Sequence, residues 1–161
     1  PCPCPTNIMP KGVPMKTAIC YYSRHHGNTL KVLEAMVEAA DIDLIDVTSR
    51  MAAHLPQYDR IGFASGIYYS KFHPTVIDYA ERYLPQGKEV FFVATHGSKS
   101  CPDKYFSAIS GVASVKDCTV LGRFACRGYD TFGPFKLIGG MAKGHPDAAD
   151  LQNARAFIQA L

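Results

Sequence analysis

The sequence predicts an α/β protein: a doubly wound, five-stranded parallel sheet in strand order 2-1-3-4-5, with helices on both faces. Two observations carry this. From Lys16 onward, five short apolar runs rich in β-formers alternate with stretches of helical periodicity, and strands apolar along their whole length belong to sheets covered on both sides. The first run ends in a polar loop containing Gly27, and that loop leads directly into a helix. Sheets of this class hold ligands there, at the carboxyl ends of the strands where the strand order reverses.

Residues 17–22, Thr-Ala-Ile-Cys-Tyr-Tyr, form the first short apolar run and read as a buried strand. Leu30, Leu33, Val37 and Ala40 then recur at helical spacing and predict a helix over 28–40. Residues 43–47 and 60–65 are the second and third strands. A helix over 75–83 follows Pro74, which fits a first turn because its missing N–H is not needed there. Residues 89–95 are the fourth and most continuously apolar strand. A helix over 104–113 comes next, weakened at its end by Gly111, and residues 119–126 are the fifth strand. The last helix starts near Asp147, whose side chain can cap it, and Leu151, Ala154, Ile158 and Leu161 share one of its faces. In this strand order the loops 23–29 and 66–74 flank the ligand site.

The connection 127–146 is long for a compact domain. Its Tyr129, Phe132, Phe135, Leu137 and Ile138 are too apolar for a freely solvated loop. It is expected to pack on the body with a short helix near 134–141, and to serve either the ligand site or self-association into a homo-oligomer.

At 161 residues the chain has the size of one domain. Residues 1–14 contain five prolines and no apolar signal-peptide core. They read as a disordered leader or upstream remnant, which leaves a domain over 15–161. The net charge of +3 is scattered rather than gathered into a block, which gives nucleic-acid binding no footprint. No run of about 18 apolar residues exists, so no membrane span is expected.

The six cysteines include no Cys-x-x-Cys, and Cys20, Cys118 and Cys126 lie inside apolar runs. Cys2 and Cys4 alone would make an incomplete metal site, and the histidines include no His-x-x-x-His pair. No metal is expected, and largely free thiols place the protein in the cytoplasm. Gly139, Gly140 and Gly144 outline a loop similar to a nucleotide loop. His145 and Pro146, however, stand where Lys and Ser/Thr would hold phosphate and magnesium.

The loop of Ser23, Arg24, His25, His26, Gly27, Asn28 and Thr29 carries the chemistry. A helix N-terminus favours negative charge, converging N–H groups can bind phosphate, and Gly27 lets the backbone come close. The bland alternative is a polar turn in which Asn28 or Thr29 merely caps the helix. The stretch 21–29, Tyr-Tyr-Ser-Arg-His-His-Gly-Asn-Thr, resembles the phosphate-binding signature of the flavodoxin family. It has one extra residue between Ser23 and Gly27, and histidine where a hydroxyl is common. The resemblance covers 16–161 in element order and is sharp again at 65–69, Ser-Gly-Ile-Tyr-Tyr, and 95–97, Thr-His-Gly.

This resemblance implies FMN as cofactor, with its phosphate on the first loop. It places Ser65, Gly66, Ile67, Tyr68 and Tyr69 beside the isoalloxazine ring, and Thr95, His96 and Gly97 at the ring's polar edge. With no Trp in the chain, a Trp sandwich is excluded. The implied function is an electron carrier between redox partner proteins, with no catalytic residues of its own. An NAD(P)H-dependent flavin or quinone reductase on the same fold is one alternative, and a flavin-free binding module is another. The absence of a Gly-x-Gly-x-x-Gly and of a dedicated acid or base favours the carrier. A pI near 8.6 sets the chain apart from typically acidic flavodoxins, and Arg24, Lys71, Lys99 and Lys104 are expected to rim the flavin, opposed nearby only by Asp103.

Overall fold

The computed structural model describes residues 14–24, 26–49, 53–131 and 133–161. The expectations for residues 1–13, including Cys2 and Cys4, and for His25 and Phe132 lie outside the described residues. The elements run β1 (Thr17–Tyr22), α1 (Asn28–Ala39), β2 (Ile42–Asp46), β3 (Arg60–Tyr68), β4 (Lys71–Phe72), α2 (Pro74–Tyr83), β5 (Glu89–His96), α3 (Ser107–Val115), β6 (Thr119–Arg127) and α4 (Ala148–Ala160). Five strands are parallel in the order β2-β1-β3-β5-β6, which is the expected 2-1-3-4-5 counted over parallel strands.

The sheet has six strands rather than five. The expected loop 66–74 is mostly strand: β3 continues to Tyr68, turns at Tyr69 and Ser70, and returns as the antiparallel β4, with Ile67 opposite Phe72. Both turn residues have positive φ, 48° and 63°. A two-residue hairpin turn demands such angles, and Gly or Asn usually supplies them. Tyr-Ser therefore gave no turn signal, and the hairpin is held instead by Phe72, which is fully buried against Phe92 and Phe106. The expected helix at 104–113 begins as a 3-10 turn, Asp103–Phe106, before α3, and the expected helix near 134–141 is a 3-10 segment, Gly133–Ile138.

Strand alternation sorts the core into two layers. In β5, Val90, Phe92 and Ala94 face α2 and α3, while Phe91 and Val93 face α1 and α4. Phe63, Phe72, Phe91 and Phe92 are among the largest fully buried side chains, and each contributes about 2–3 kcal/mol by leaving water. Gly62 in β3 makes room for this packing. A Cβ there would lie 2.5 Å from the ring of Phe91.

Among the described residues Cys20, Cys101, Cys118 and Cys126 are free thiols. Burial pushes Cys20 and Cys126 up to about 12, so both stay protonated and pack as small apolar groups. No described helix is long and apolar enough to cross a membrane.

Candidate functional site

The carboxyl ends of β1, β3, β5 and β6 open into a cleft of about 340 Å³, within the range of small-molecule sites. Of the residues singled out in the sequence, Ser23, Arg24, Asn28, Thr29, Gly66, Ile67, Tyr68, Tyr69, Thr95, His96 and Gly97 line it. Ser65, His26 and Gly27 do not. Gly128, Tyr129, Asp130 and Pro134 form a further wall; they belong to the connection 127–146, expected to serve either the ligand site or self-association, but were not singled out as site residues.

The first loop reaches the cleft through two successive left-handed residues, His26 (φ 53°) and Gly27 (φ 65°). Gly27 is the cap residue of α1 and makes no side-chain cap bond, so neither Asn28 nor Thr29 serves as the cap. The start of α1 thus faces the cleft without a side-chain acceptor at its cap, and N–H groups of a first turn have no partners within their own helix. Of these first-turn groups, the Leu30 N–H is taken by Ser23 Oγ at 3.2 Å.

Asn28 is the pivot of the site. Its Nδ2 donates to the Tyr129 carbonyl at 2.7 Å, which fixes the orientation of the amide. That leaves Oδ1 buried with no hydrogen-bond partner on a residue only 8% exposed. An unpartnered buried acceptor costs about 1–3 kcal/mol, so its persistence points to a donor arriving from outside the protein. Gly128 is shaped to this amide: a Cβ there would lie 2.8 Å from Asn28 Nδ2.

The fourth wall is clamped to the first loop. His26 Nε2 lies 2.8 Å from Thr131 Oγ1, and its ring packs 4.7 Å from that of Tyr129. Behind the loop, the buried hydroxyls of Thr29 and Thr95 share a bond of 2.8 Å that ties α1 to β5.

Ser65 serves the hairpin instead of the cleft. Its Oγ donates to the Gly66 carbonyl at 2.6 Å and accepts from the His73 N–H at 3.0 Å. His73 stacks on Tyr22 at 3.9 Å and meets the edge of Tyr68 at 5.2 Å, which fixes the ring of Tyr68 at the cleft wall. Burial, followed by the proximity of Tyr22 and Asp130, pushes the Tyr68 hydroxyl up to about 12. Tyr69 projects from the turn, 82% exposed.

At the end of β5, the His96 ring lies with Nδ1 3.1 Å from the Ser98 carbonyl, so that nitrogen donates. Burial holds its pKa below the ordinary value. Gly97 admits Asp130, for a Cβ there would come within 2.7 Å of the Asp130 side chain. Arg24 and Asp130 are the formally charged groups lining the cleft. Lys71 and Lys104 instead line an adjacent hollow with Ser70 and Tyr105.

A family model described as a flavodoxin domain matches residues 18–137. An uncharacterized protein of Methanocaldococcus jannaschii is 31% identical over 147 residues, spanning 91% of this chain and 98% of its own. Among solved structures, a flavodoxin from the domain Archaea superposes with a TM-score of 0.65 at 18% identity, over 89% of this chain and 94% of its own. Oxidised Flavodoxin 2 from Bacillus cereus gives 0.67 at 15% identity, over 90% and 96%. A WrbA-like flavodoxin from Agrobacterium tumefaciens gives 0.60 at 17%, over 90% and 94%. These structures share the fold, and the family match, which spans all four walls of the cleft, establishes that the chain belongs to the flavodoxin domain family.

Proposed function

We propose that the cleft binds FMN and that the protein carries electrons between redox partner proteins in the cytoplasm. The observation behind this reading is the pairing of two unmet demands: the first N–H groups of α1, of which Ser23 engages that of Leu30 alone among the described residues, and the buried acceptor Asn28 Oδ1. A phosphate monoester suits the helix start, and a ribityl hydroxyl is the donor that Asn28 lacks. Tyr68 and Tyr69 offer aromatic surface for a flat ring. When bound, the flavin supplies one- and two-electron chemistry, and the protein tunes it by packing, hydrogen bonds and charge.

The chain's own groups favour a carrier over an enzyme. His96 is neutral by burial with Nδ1 committed to Ser98, and Tyr68 keeps its proton at any ordinary pH. Tyr68 is therefore not poised to exchange a proton near neutrality, and burial disfavours the charged form of His96. The four free thiols suit a reducing compartment.

Titration calorimetry with FMN, FAD and riboflavin tests the cofactor. FMN binds most tightly, because losing the phosphate forfeits charge-assisted bonds worth about 1.5–3 kcal/mol each. Equal affinity for riboflavin would remove the phosphate site. Anaerobic addition of NADH or NADPH to the FMN-loaded protein tests the role. A carrier is left oxidised, whereas rapid bleaching with turnover makes it a reductase.

A further inference from the structure

The mouth of the cleft carries a surface that the fold does not require. Tyr69, Leu137 and Ile138 are 82%, 89% and 75% exposed. Tyr69 lines the cleft from the β3–β4 turn, and Leu137 and Ile138 follow Pro134, which lines it from the opposite connection. Large exposed apolar side chains beside a cleft mark interaction sites more often than structural ones.

Cations surround them. Lys71 flanks the Tyr69 turn, Lys99 lies two residues past Gly97, Lys104 shares a hollow with Lys71, and Lys136 precedes Leu137, all exposed. None of these four ammonium groups makes a hydrogen bond or ion pair among the described residues. The nearby acids are engaged or recessed: Asp103 lies 3.7 Å from Arg123, and Asp130 lines the cleft itself.

We propose that this face docks an acidic redox protein, with Tyr69, Leu137 and Ile138 at the centre of contact and the four lysines at its rim. An apolar centre within a charged rim is the anatomy of a transient protein interface. Charge complementarity selects the partner. A second copy of this chain would bring the same cations against themselves, and like charges so juxtaposed cost several kcal/mol. Tyr69 and Pro134 line the cleft itself, so whatever docks here lies against its mouth, which is what a redox protein needs and a lipid surface does not. The proposal rests on the cleft being an FMN site, since only then must a redox partner reach it.

The test uses the full chain, isotope-labelled and loaded with FMN, titrated with an acidic [2Fe–2S] ferredoxin and followed by NMR. Shifts are expected at Tyr69, Lys71, Lys99 and residues 136–138. The affinity should fall at least about tenfold between about 20 mM and about 200 mM salt. The combined variant Lys71→Glu, Lys99→Glu and Lys136→Glu should weaken docking at low salt by at least about tenfold, with FMN affinity unchanged. The pair Leu137→Ser and Ile138→Ser should weaken it without altering its salt dependence.

Shifts on another face, salt-insensitive binding, or equal binding of basic cytochrome c would overturn the proposal. So would sedimentation with phosphatidylglycerol vesicles in the absence of ferredoxin docking, which would make the surface a membrane contact. Flavin-fluorescence quenching, measured separately, distinguishes the two readings. Docking without FMN binding overturns the cofactor and leaves the face, whereas FMN binding without docking overturns the face alone.

Discussion

The two ends of the sheet are built to different standards. At the amino ends of the strands Lys88, Lys116 and Arg60 are engaged. Lys88 Nζ donates to the Pro56 and Tyr58 carbonyls, Lys116 Nζ to the Leu84 carbonyl, and Arg60 reaches both Glu89 and the Leu161 carbonyl. Tyr58 closes on Asp43 at 2.7 Å. At the carboxyl ends the local rules are broken together: four non-glycine or glycine turn residues with positive φ (His26, Gly27, Tyr69 and Ser70), an orphaned Asn28 oxygen and three exposed large apolar groups. The amino end has irregularities too, in Gly87 and Asp117 at positive φ, the exposed Val115 and the buried, unpartnered Arg60 Nε and Glu89 Oε2, but at the carboxyl ends they border a cleft, and that locates the work of the molecule there.

Glycine substitutions give the sharpest way to break this contrast. At Gly128 a Cβ would press into Asn28 from 2.8–2.9 Å, evict its amide from the Tyr129 carbonyl and narrow the cleft. Gly128→Ala should lower FMN affinity by at least about a hundredfold, about 2.7 kcal/mol, with circular dichroism unchanged. At Gly62 the added methyl meets the ring of Phe91 at 2.5 Å and Ile19 at 3.0 Å. Gly62→Ala should cost about 1–3 kcal/mol of stability by overpacking, read in urea melts, while the folded fraction binds FMN normally. If Gly128→Ala instead lowers stability while the folded fraction keeps its flavin affinity, the two ends are not specialised.

Thr29, at the carboxyl end, combines the two roles. It lines the cleft, yet its hydroxyl is bonded to that of Thr95 in a buried pair. Thr29→Val strands the Thr95 hydroxyl and should cost about 1–2 kcal/mol of stability. Thr95→Val should cost about as much, and the double variant less than the sum, because each single change forfeits the same bond. Additive losses in denaturant melts would mean that the two hydroxyls act separately.

The order of parallel strands was legible in the sequence because fully apolar runs such as residues 89–95 admit few alternatives. The hairpin was not, because Tyr69 and Ser70 adopt positive φ without a glycine or asparagine to announce it. Three cleft walls were legible as Ser-x-x-x-Gly-Asn-Thr, Ser-Gly-Ile-Tyr-Tyr and Thr-His-Gly. The wall at Gly128, Tyr129 and Asp130 was not, since it carries no repeated spacing and becomes a wall only through its contacts with His26 and Asn28. The apolar excess of 127–146 was the available signal that this connection packs at the site. Ser65 was misleading for the opposite reason: its neighbours line the cleft while its own hydroxyl bonds within the hairpin. Of the expected cationic rim, Arg24 lines the cleft, whereas Lys71, Lys99 and Lys104 lie outside its lining.

The amino end should also be visible in alkaline titration. Burial, reinforced by the hydrogen bond to Asp43 and its charge, pushes the Tyr58 hydroxyl from 10.0 up to about 12. The folded chain therefore holds this proton where the unfolded chain has released it. The associated stability is complete below pH 10 and is lost as pH rises toward 12. Tyr58→Phe should lose about 1 kcal/mol at neutral pH with the bond to Asp43. Its stability should then fall less steeply than wild type between pH 10 and 12, with Tyr68 and Tyr79, also pushed to about 12, supplying the remaining slope. Parallel curves for the two proteins would show that Tyr58 titrates alike in both states.

The smallest effect is expected where the two ends are joined, at the start of α4. Asp147 Oδ1 accepts from the Asp150 N–H, Asp150 Oδ2 accepts from the Asp147 N–H, and His145 Nδ1 lies 2.6 Å from Asp150 Oδ2. This capping box holds down a helix whose Ala154 and Ile158 are buried in the α1 layer. It also anchors the cleft wall, since the His145 carbonyl accepts from the Tyr129 N–H. The hydrogen bond from the Asp150 N–H holds the Asp147 carboxyl below its usual 3.8. A depressed carboxylate contributes stability above the unfolded value, and that contribution is lost as pH falls through the folded one. Asp147→Ala should therefore melt slightly below wild type at neutral pH, and the two melting temperatures should converge in acid. FMN affinity should hold, because Tyr129 remains fixed from its other side by Asn28 and His26. A marked loss of flavin in this variant would mean that the cap of α4, and not the first loop, holds the fourth wall of the cleft in place.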